Sequence, residues 1–260
     1  MTENSLSSAS ITRNLKTRFV GQRVIYHPSL TSTMEAARQE TLQGAAEGTV
    51  IIADEQTAGR GRLKRVWLSP RGNIALSVIL RPRMTHLHSL VMLASLAVVH
   101  SIEAITGLKP QIKWPNDVLI GGKKVCGILI ESHVQRKKVD YAIIGIGVNV
   151  NLRPGDFPDI SPIATSLSRE MGREVPRLTL IQNLLVEIER LYLALSAGES
   201  LFQEWRDRLV TLGRKILIES GDTVQQGIAE SVAEDGSLLL RLPDGTLVRI
   251  LAGDVTLRDQ

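Results

Sequence analysis

The sequence predicts an α/β (α+β) domain followed by a small C-terminal β-barrel, and three observations lead there. Short β-branched runs alternate with helix-length segments as far as Leu212. From Gly213 onward the pattern changes to brief strands separated by glycine–aspartate turns, the mark of a compact barrel. Between two of the early strands lies a loop rich in glycine and arginine, residues 54–72, reading DEQTAGRGRLKRVWLSPRG.

Composition sets outer limits. With 260 residues, 43% of them hydrophobic, there is room for one sizeable domain and a small one. Lys and Arg number 31 against 27 acidic residues, a net charge of +4 that is too balanced to imply a general nucleic-acid binder. The one cysteine, Cys126, excludes an intrachain disulfide and fits a reducing cytosol. It lies in the strand-like KVCGILIE and reads as a small core residue rather than a nucleophile. No apolar run reaches the roughly 18 residues of a membrane span, and MTENSLSSAS has no apolar signal core. A cytoplasmic location with no membrane partner is the expectation.

In chain order, residues 1–10 are polar and serine-rich and read as a disordered tail. A catalytic-size domain is expected over 11–212 and the barrel over 213–260. Residues 23–26 form a first strand. In TSTMEAARQETLQG, Ser32 and Glu35 have the spacing of a capping box and Gly44 supplies the stop. The free amides and hydroxyls of such a helix start, at Ser32 and Thr33, are also where a small polar ligand docks. Residues 49–53 and 73–80 are the strands that flank the basic loop. Within it Gly59 and Gly61 alternate with Arg60 and Arg62. Glycine lets the main chain approach a ligand, and guanidinium forks match paired phosphate or carboxylate oxygens, so the loop is read as an anion wrap.

Residues 86–106 are apolar nearly all round and predict a core helix ending at Gly107; His86, His88 and His100 lack a metal-ligand spacing. Next, 111–114 and 118–120 read as strands broken by Pro115-Asn116-Asp117, and Gly121-Gly122 turns the chain into a strand over 124–131. Lys113 stands out between Ile112 and Trp114, since an ammonium there is costly without an anion against it. Gly127 leaves a gap in its strand face. In YAIIGIGVNVN, Gly145 and Gly147 bare one face, and Asn149 follows on that face. Residues 153–176 are loop-rich, and helices follow over 178–196 and 201–212.

Four segments then carry a resemblance in their order and spacing: GRGR at 59–62 with Gln56 ahead of it, KWPND at 113–117, GKKVCGILIE at 122–131 and GIGVNVN at 145–151. Together with the C-terminal barrel they resemble the biotin–protein ligases from about Leu15 to Arg258. The resemblance implies a mixed sheet like that of class II aminoacyl-tRNA synthetases with an SH3-like barrel behind it. It implies an ATP-dependent, AMP-forming enzyme. Biotin and MgATP would give biotinyl-5′-AMP, and biotin would pass to a lysine of a biotin carboxyl carrier domain. Ser32, Thr33, Gln56 and Gly127 would serve biotin, and Arg60, Gly61 and Arg62 would form the nucleotide loop. Lys113 would touch the biotin carboxylate and the α-phosphate, while Trp67, Asn149 and Arg258 would serve the nucleotide. Catalysis would fall to Lys113, Arg60 and Arg62, with Mg²⁺ arriving with ATP and no protein metal site.

The chain departs from the family in two places. Many members read Asp-Ser-Thr-Asn where Thr31-Ser32-Thr33-Met34 stands, and glycine is frequent in place of Lys64. A lipoate–protein ligase is the alternative of the same reaction type, but GRGR plus KWPND favours biotin. The short segment ahead of Ser32 does not accommodate a winged helix-turn-helix, so specific DNA binding is not expected; a homodimer stays open.

Overall fold

The computed structural model describes residues 6–220, 223–251 and 253–257. The chain begins with α1 (Ser8–Thr12), then β1 (Val24–His27), α2 (Thr33–Leu42), β2 (Val50–Ala53) and β3 (Ile74–Leu80). Next come α3 (Leu90–Thr106), the hairpins β4 (Gln111–Lys113)–β5 (Asp117–Ile120) and β6 (Lys123–Gln135)–β7 (Lys138–Val148), and then α4 (Leu167–Met171), α5 (Arg177–Ser196) and α6 (Phe202–Asp207). The last 46 or so positions carry β8 (Lys215–Ser220), β9 (Thr223–Val232), β10 (Leu238–Arg241), β11 (Leu247–Ile250) and β12 (Asp254–Leu257).

Seven strands make one mixed sheet in the order β1-β2-β3-β7-β6-β5-β4; β1 and β2 are parallel and every other neighbour antiparallel. Alternation assigns its two faces. Val50, Ile52, Leu76, Val78, Ile144, Ile146, Cys126 and Ile128 join the large core with α3 and α5. Ile51, Ile79 and Ile143 point the other way and pack with Met34 and Ala37 of α2. A sheet covered on both faces explains why its strands read as nearly unbroken apolar runs. Cys126 is fully buried on the α3 side, and burial pushes its thiol far above the usual range.

The second sheet has the order β11-β10-β9-β8-β12 and is wholly antiparallel. Among the described residues β11 and β12 lie at its two ends, so the expected barrel is an open, five-stranded sheet. It docks on the large core through Trp114, whose Nε1 donates to the Gly236 carbonyl at 2.8 Å. No helix among the described residues is long and apolar enough to cross a membrane.

One stretch of the expected disordered tail is folded. Ser7 and Ser10 form a reciprocal capping box, with Ser10 N donating to Ser7 Oγ at 3.0 Å and Ser7 N to Ser10 Oγ at 2.9 Å. Leu6 and Ile11 are buried in the core. The serines that made the segment look disordered are its helix cap, and two apolar residues anchor it. Downstream, the buried carboxylate of Glu189 accepts the amides of Arg18, Phe19 and Val20 at 2.6, 2.8 and 2.9 Å, which ties the entry of the chain to α5.

Candidate active site

The site lies on the α2 face of the large sheet, at the end that Gly127, Gly145 and Gly147 leave bare of side chains. A row of paired residues runs across five strands there: Ala75 pairs with Gly147, Gly147 with Gly127, Gly127 with Asp117 and Asp117 with Lys113. The glycines make it a floor. A Cβ at Gly147 would stand 2.3 Å from the Trp67 Nε1, and one at Gly127 would stand 3.0 Å from its Cζ3. The indole lies flat in the space that any larger residue would fill. Over Gly145, the next floor position, sits the Met34 thioether.

Above the floor is the basic loop, folded as a tongue. Gly61 N donates to the Arg65 carbonyl at 2.8 Å and Trp67 N to the Gly59 carbonyl at 2.9 Å, so the limbs pair like a small hairpin. Leu63 at its tip takes a left-handed conformation (φ 52°) and is exposed. Together floor and tongue enclose a cavity of about 230 Å³.

One end of the cavity is built by α2. Ser32 and Thr33 line it and are both 3% exposed. The predicted capping box is not formed: Ser32 makes no side-chain cap bond. Gln56 takes over that task from the tongue's root, its Oε1 accepting the Thr33 amide at 2.8 Å and the Thr33 hydroxyl at 3.1 Å. Ser77 Oγ donates to Thr33 Oγ1 at 2.9 Å, completing a fixed polar corner.

Arg60, Gly61, Arg62, Trp67, Gly127 and Asn149 all line the same cavity. Arg62 Nη1 donates to Asn116 Oδ1 at 3.1 Å and to the Gly253 carbonyl at 3.2 Å. Burial lowers its pKa, partly countered by Asp117 and Asp254. Asn149 is 4% exposed, its Nδ2 donating to the Thr165 carbonyl at 3.0 Å. Arg258 lies outside the described residues.

Lys113 is not among the lining residues, and the lysine that is there is Lys124. Burial lowers the Lys113 pKa despite nearby Asp117 and Asp254. Lys124 Nζ stands 2.7 Å from Asp117 Oδ1 and 5.3 Å from the centre of the Trp67 ring, a cation held between a carboxylate and an aromatic face. Straight alternation back from Gly127 would turn Lys124 toward α3. A register shift in the β5–β6 pairing prevents it: Cys126 pairs with Val118, but Lys124 pairs with Leu119, so Val125 is an extra residue. The bulge puts Lys124 on the face of Asp117 and Gly127. Its backbone is pinned by Ile163, whose carbonyl accepts the Lys124 amide at 2.9 Å.

Sequence reasoning also passed over Asn116 and Asp117, although both stand in the KWPND segment, and over Arg65 and Asp254. Those last two form an ion pair between the tongue and the C-terminal sheet. Exposed Val66 of the tongue and Ile163 of the loop after β7 flank the mouth with apolar surface. Among the described residues no three His, Cys, Asp or Glu side chains group as metal ligands.

A cationic cavity on a glycine floor, with a polar corner at a helix start, has the chemistry of a site for small anions such as a carboxylate or a phosphate. The sequence profile described as the Biotin/lipoate A/B protein ligase family matches residues 26–149, and that of the biotin protein ligase C terminal domain matches 211–258. The bifunctional ligase/repressor BirA of Bacillus subtilis (strain 168) is 40% identical over 258 residues, covering 97% of this chain and 79% of the relative. The biotin–[acetyl-CoA-carboxylase] ligase of Paracoccus denitrificans is 34% identical over 227 residues, covering 84% of this chain and 94% of the relative. The solved biotin protein ligase from Aquifex aeolicus in complex with biotin and ATP superposes with a TM-score of 0.78 at 30% identity, covering 92% of this chain and 100% of that one. The chain belongs to the biotin protein ligases.

Proposed function

We propose that the chain activates biotin with MgATP and transfers it to a lysine of a biotin carboxyl carrier domain, such as that of acetyl-CoA carboxylase. The observation that carries this reading is Lys124, placed by the β-bulge over the glycine floor and beside Asp117. In the first step a biotin carboxylate oxygen attacks the α-phosphorus of ATP and the bond to pyrophosphate breaks. Two anions must approach one another, so fixed positive charge is the first requirement. Lys124 supplies it at the floor and Arg62 from the tongue; Lys113 adds to the potential from the end of its row. Gln56 and Thr33 hold the acid's polar head, and Asn149 serves the nucleotide.

Magnesium would neutralise phosphate charge. The two carboxylates lining the cavity, Asp117 and Asp254, are each paired with a cation of the chain, so the ion fits as a passenger of the phosphates. In the second step a carrier lysine amine attacks the acyl carbon, AMP leaves through C–O cleavage, and the amine gives up a proton. The tongue covers the mixed anhydride against water in the interval. The reaction is placed in the cytoplasm, where ATP is supplied.

The test mixes the protein with biotin, MgATP and a biotin carboxyl carrier domain, and reads transfer by avidin blotting. Biotin on the carrier supports the reading. Lipoate replaces biotin in a second arm probed with an anti-lipoyl antibody; lipoyl transfer without biotin transfer would overturn it in favour of a lipoate–protein ligase.

A further inference from the structure

The tongue has two flanks, and each is tied down by charge. On one side Arg62 and Arg65 reach the C-terminal sheet at Gly253 and Asp254. On the other, Arg60 Nη2 donates to Glu35 Oε2 at 2.7 Å. Glu35 is the third residue of α2, and the same Oε2 also accepts Arg38 Nη1 at 2.7 Å. The other arm of Arg38 pairs with Glu131 on β6. Four side chains of alternating sign therefore run from the tongue through α2 to the sheet. Glu35 takes no part in a capping box; Gln39 Nε2, at 3.3 Å, is its other hydrogen-bond donor. Its pKa is lowered, first by the Arg60 hydrogen bond.

We propose that Glu35 is a positioning residue: it anchors the tongue to helix α2 by holding Arg60, and so sets how tightly the cavity is closed over the biotin end. Arg60 sits on the tongue's first limb, in a bridge with Val66. Pinning that limb to α2 fixes the tongue in register with Thr33 and Gln56, which stand at the start of the same helix. Side-chain exposures of 47% for Arg60 and 35% for Glu35 mark a water-accessible pair. Such a pair shifts an opening equilibrium by about two- to fivefold, and salt weakens it. That is a suitable size for an anchor that must release product on every turnover.

The test is a double-mutant cycle read by chymotrypsin cleavage within the tongue, which carries Leu63 and Trp67. Glu35→Gln is expected to speed cleavage of the ligand-free protein about two- to fivefold. The KM for biotin should rise by a similar factor while kcat and melting temperature stay near wild type. Arg60→Gln alone should speed cleavage equally, and the double variant no further. Glu35→Asp should restore part of the protection. Wild-type protein provides a measurement free of any folding defect: raising salt should accelerate its cleavage, and Glu35→Gln should show a smaller response, the part that the remaining Arg65–Asp254 pair contributes. Additive effects of the two substitutions, or cleavage of Glu35→Gln at the wild-type rate, would overturn the anchor. The KM arm rests on the biotin-ligase reading; the cleavage and salt arms do not, so the two ideas fail separately.

Discussion

Gln56 caps the helix that Thr33 begins. Its side-chain oxygen accepts both the Thr33 amide and the Thr33 hydroxyl, at 2.8 and 3.1 Å, across 23 residues of sequence. The root of the tongue and the start of α2 are therefore one structural unit, and a change at one is felt at the other. Gln56→Ala should leave a buried amide unpaired and cost about 1 kcal/mol of stability, the usual cost of a lost helix cap. The KM for biotin should rise about tenfold, since the polar corner loses its orientation. Urea denaturation and steady-state kinetics check the two halves.

Two lysines compete for the role of activating cation, and geometry separates them. Lys124→Ala should slow pyrophosphate release by about 10²–10³, the scale of losing one preorganised charge at a developing anion. Transfer from preformed biotinyl-AMP should suffer less. Lys113→Ala, whose side chain is outside the cavity lining, should slow the first step by no more than about tenfold. The reverse order of effects would return Lys113 to the centre of the mechanism.

Arg62 bridges Asn116 and the Gly253 carbonyl, so it closes the tongue against the C-terminal sheet. Arg62→Gly removes that bridge and adds backbone freedom, which raises the ordering cost of closure. Labelled biotinyl-AMP should dissociate faster, and biotin should appear on albumin present beside the carrier domain. Unchanged dissociation with selective labelling would show that Arg62 does not retain the intermediate.

Away from the cavity, His100 on α3 lies between Glu187 on α5 at 3.1 Å and Glu204 on α6 at 2.6 Å, with Arg190 beside it. The Glu187 hydrogen bond raises the His100 pKa, and the imidazolium in turn lowers that of Glu187 to about 2. A histidine with a raised folded pKa contributes fully below its unfolded value near 6.5, and that contribution is lost as pH rises through the folded value. Glu187 has the opposite sign: its contribution is present above the unfolded carboxylate pKa and disappears as pH falls toward 2. The three-helix cluster is thus strongest in mildly acid solution. Unfolding free energy should decline as pH is raised from about 6.5, and His100→Gln should flatten that decline. Equal slopes in the two proteins would remove His100 as its source.

Much of this molecule is legible in the sequence because its signals are local. β-Branched runs mark β2, β3 and β7, the spacing of Gly145 and Gly147 bares one strand face, and Gly59 and Gly61 beside Arg60 and Arg62 mark the loop that lines the cavity. Alternation and backbone freedom belong to neighbouring residues, so composition within ten positions is enough to read them. Tertiary structure decided what depends on partners far along the chain. Ser32 and Glu35 have capping-box spacing, yet Gln56 caps the helix and Arg60 takes the carboxylate. Ser7 and Ser10 look like a polar tail until Leu6 and Ile11 find a core to enter. Lys113 on β4 and Lys124 on β6 carry the same charge, with β5 between their strands. That Lys124 lines the cavity was settled by one extra residue, Val125, in the pairing of β5 with β6. Because side chains alternate with a period of two, a single-residue bulge exchanges the faces of everything beyond it, and that exchange exists only once the two strands have met.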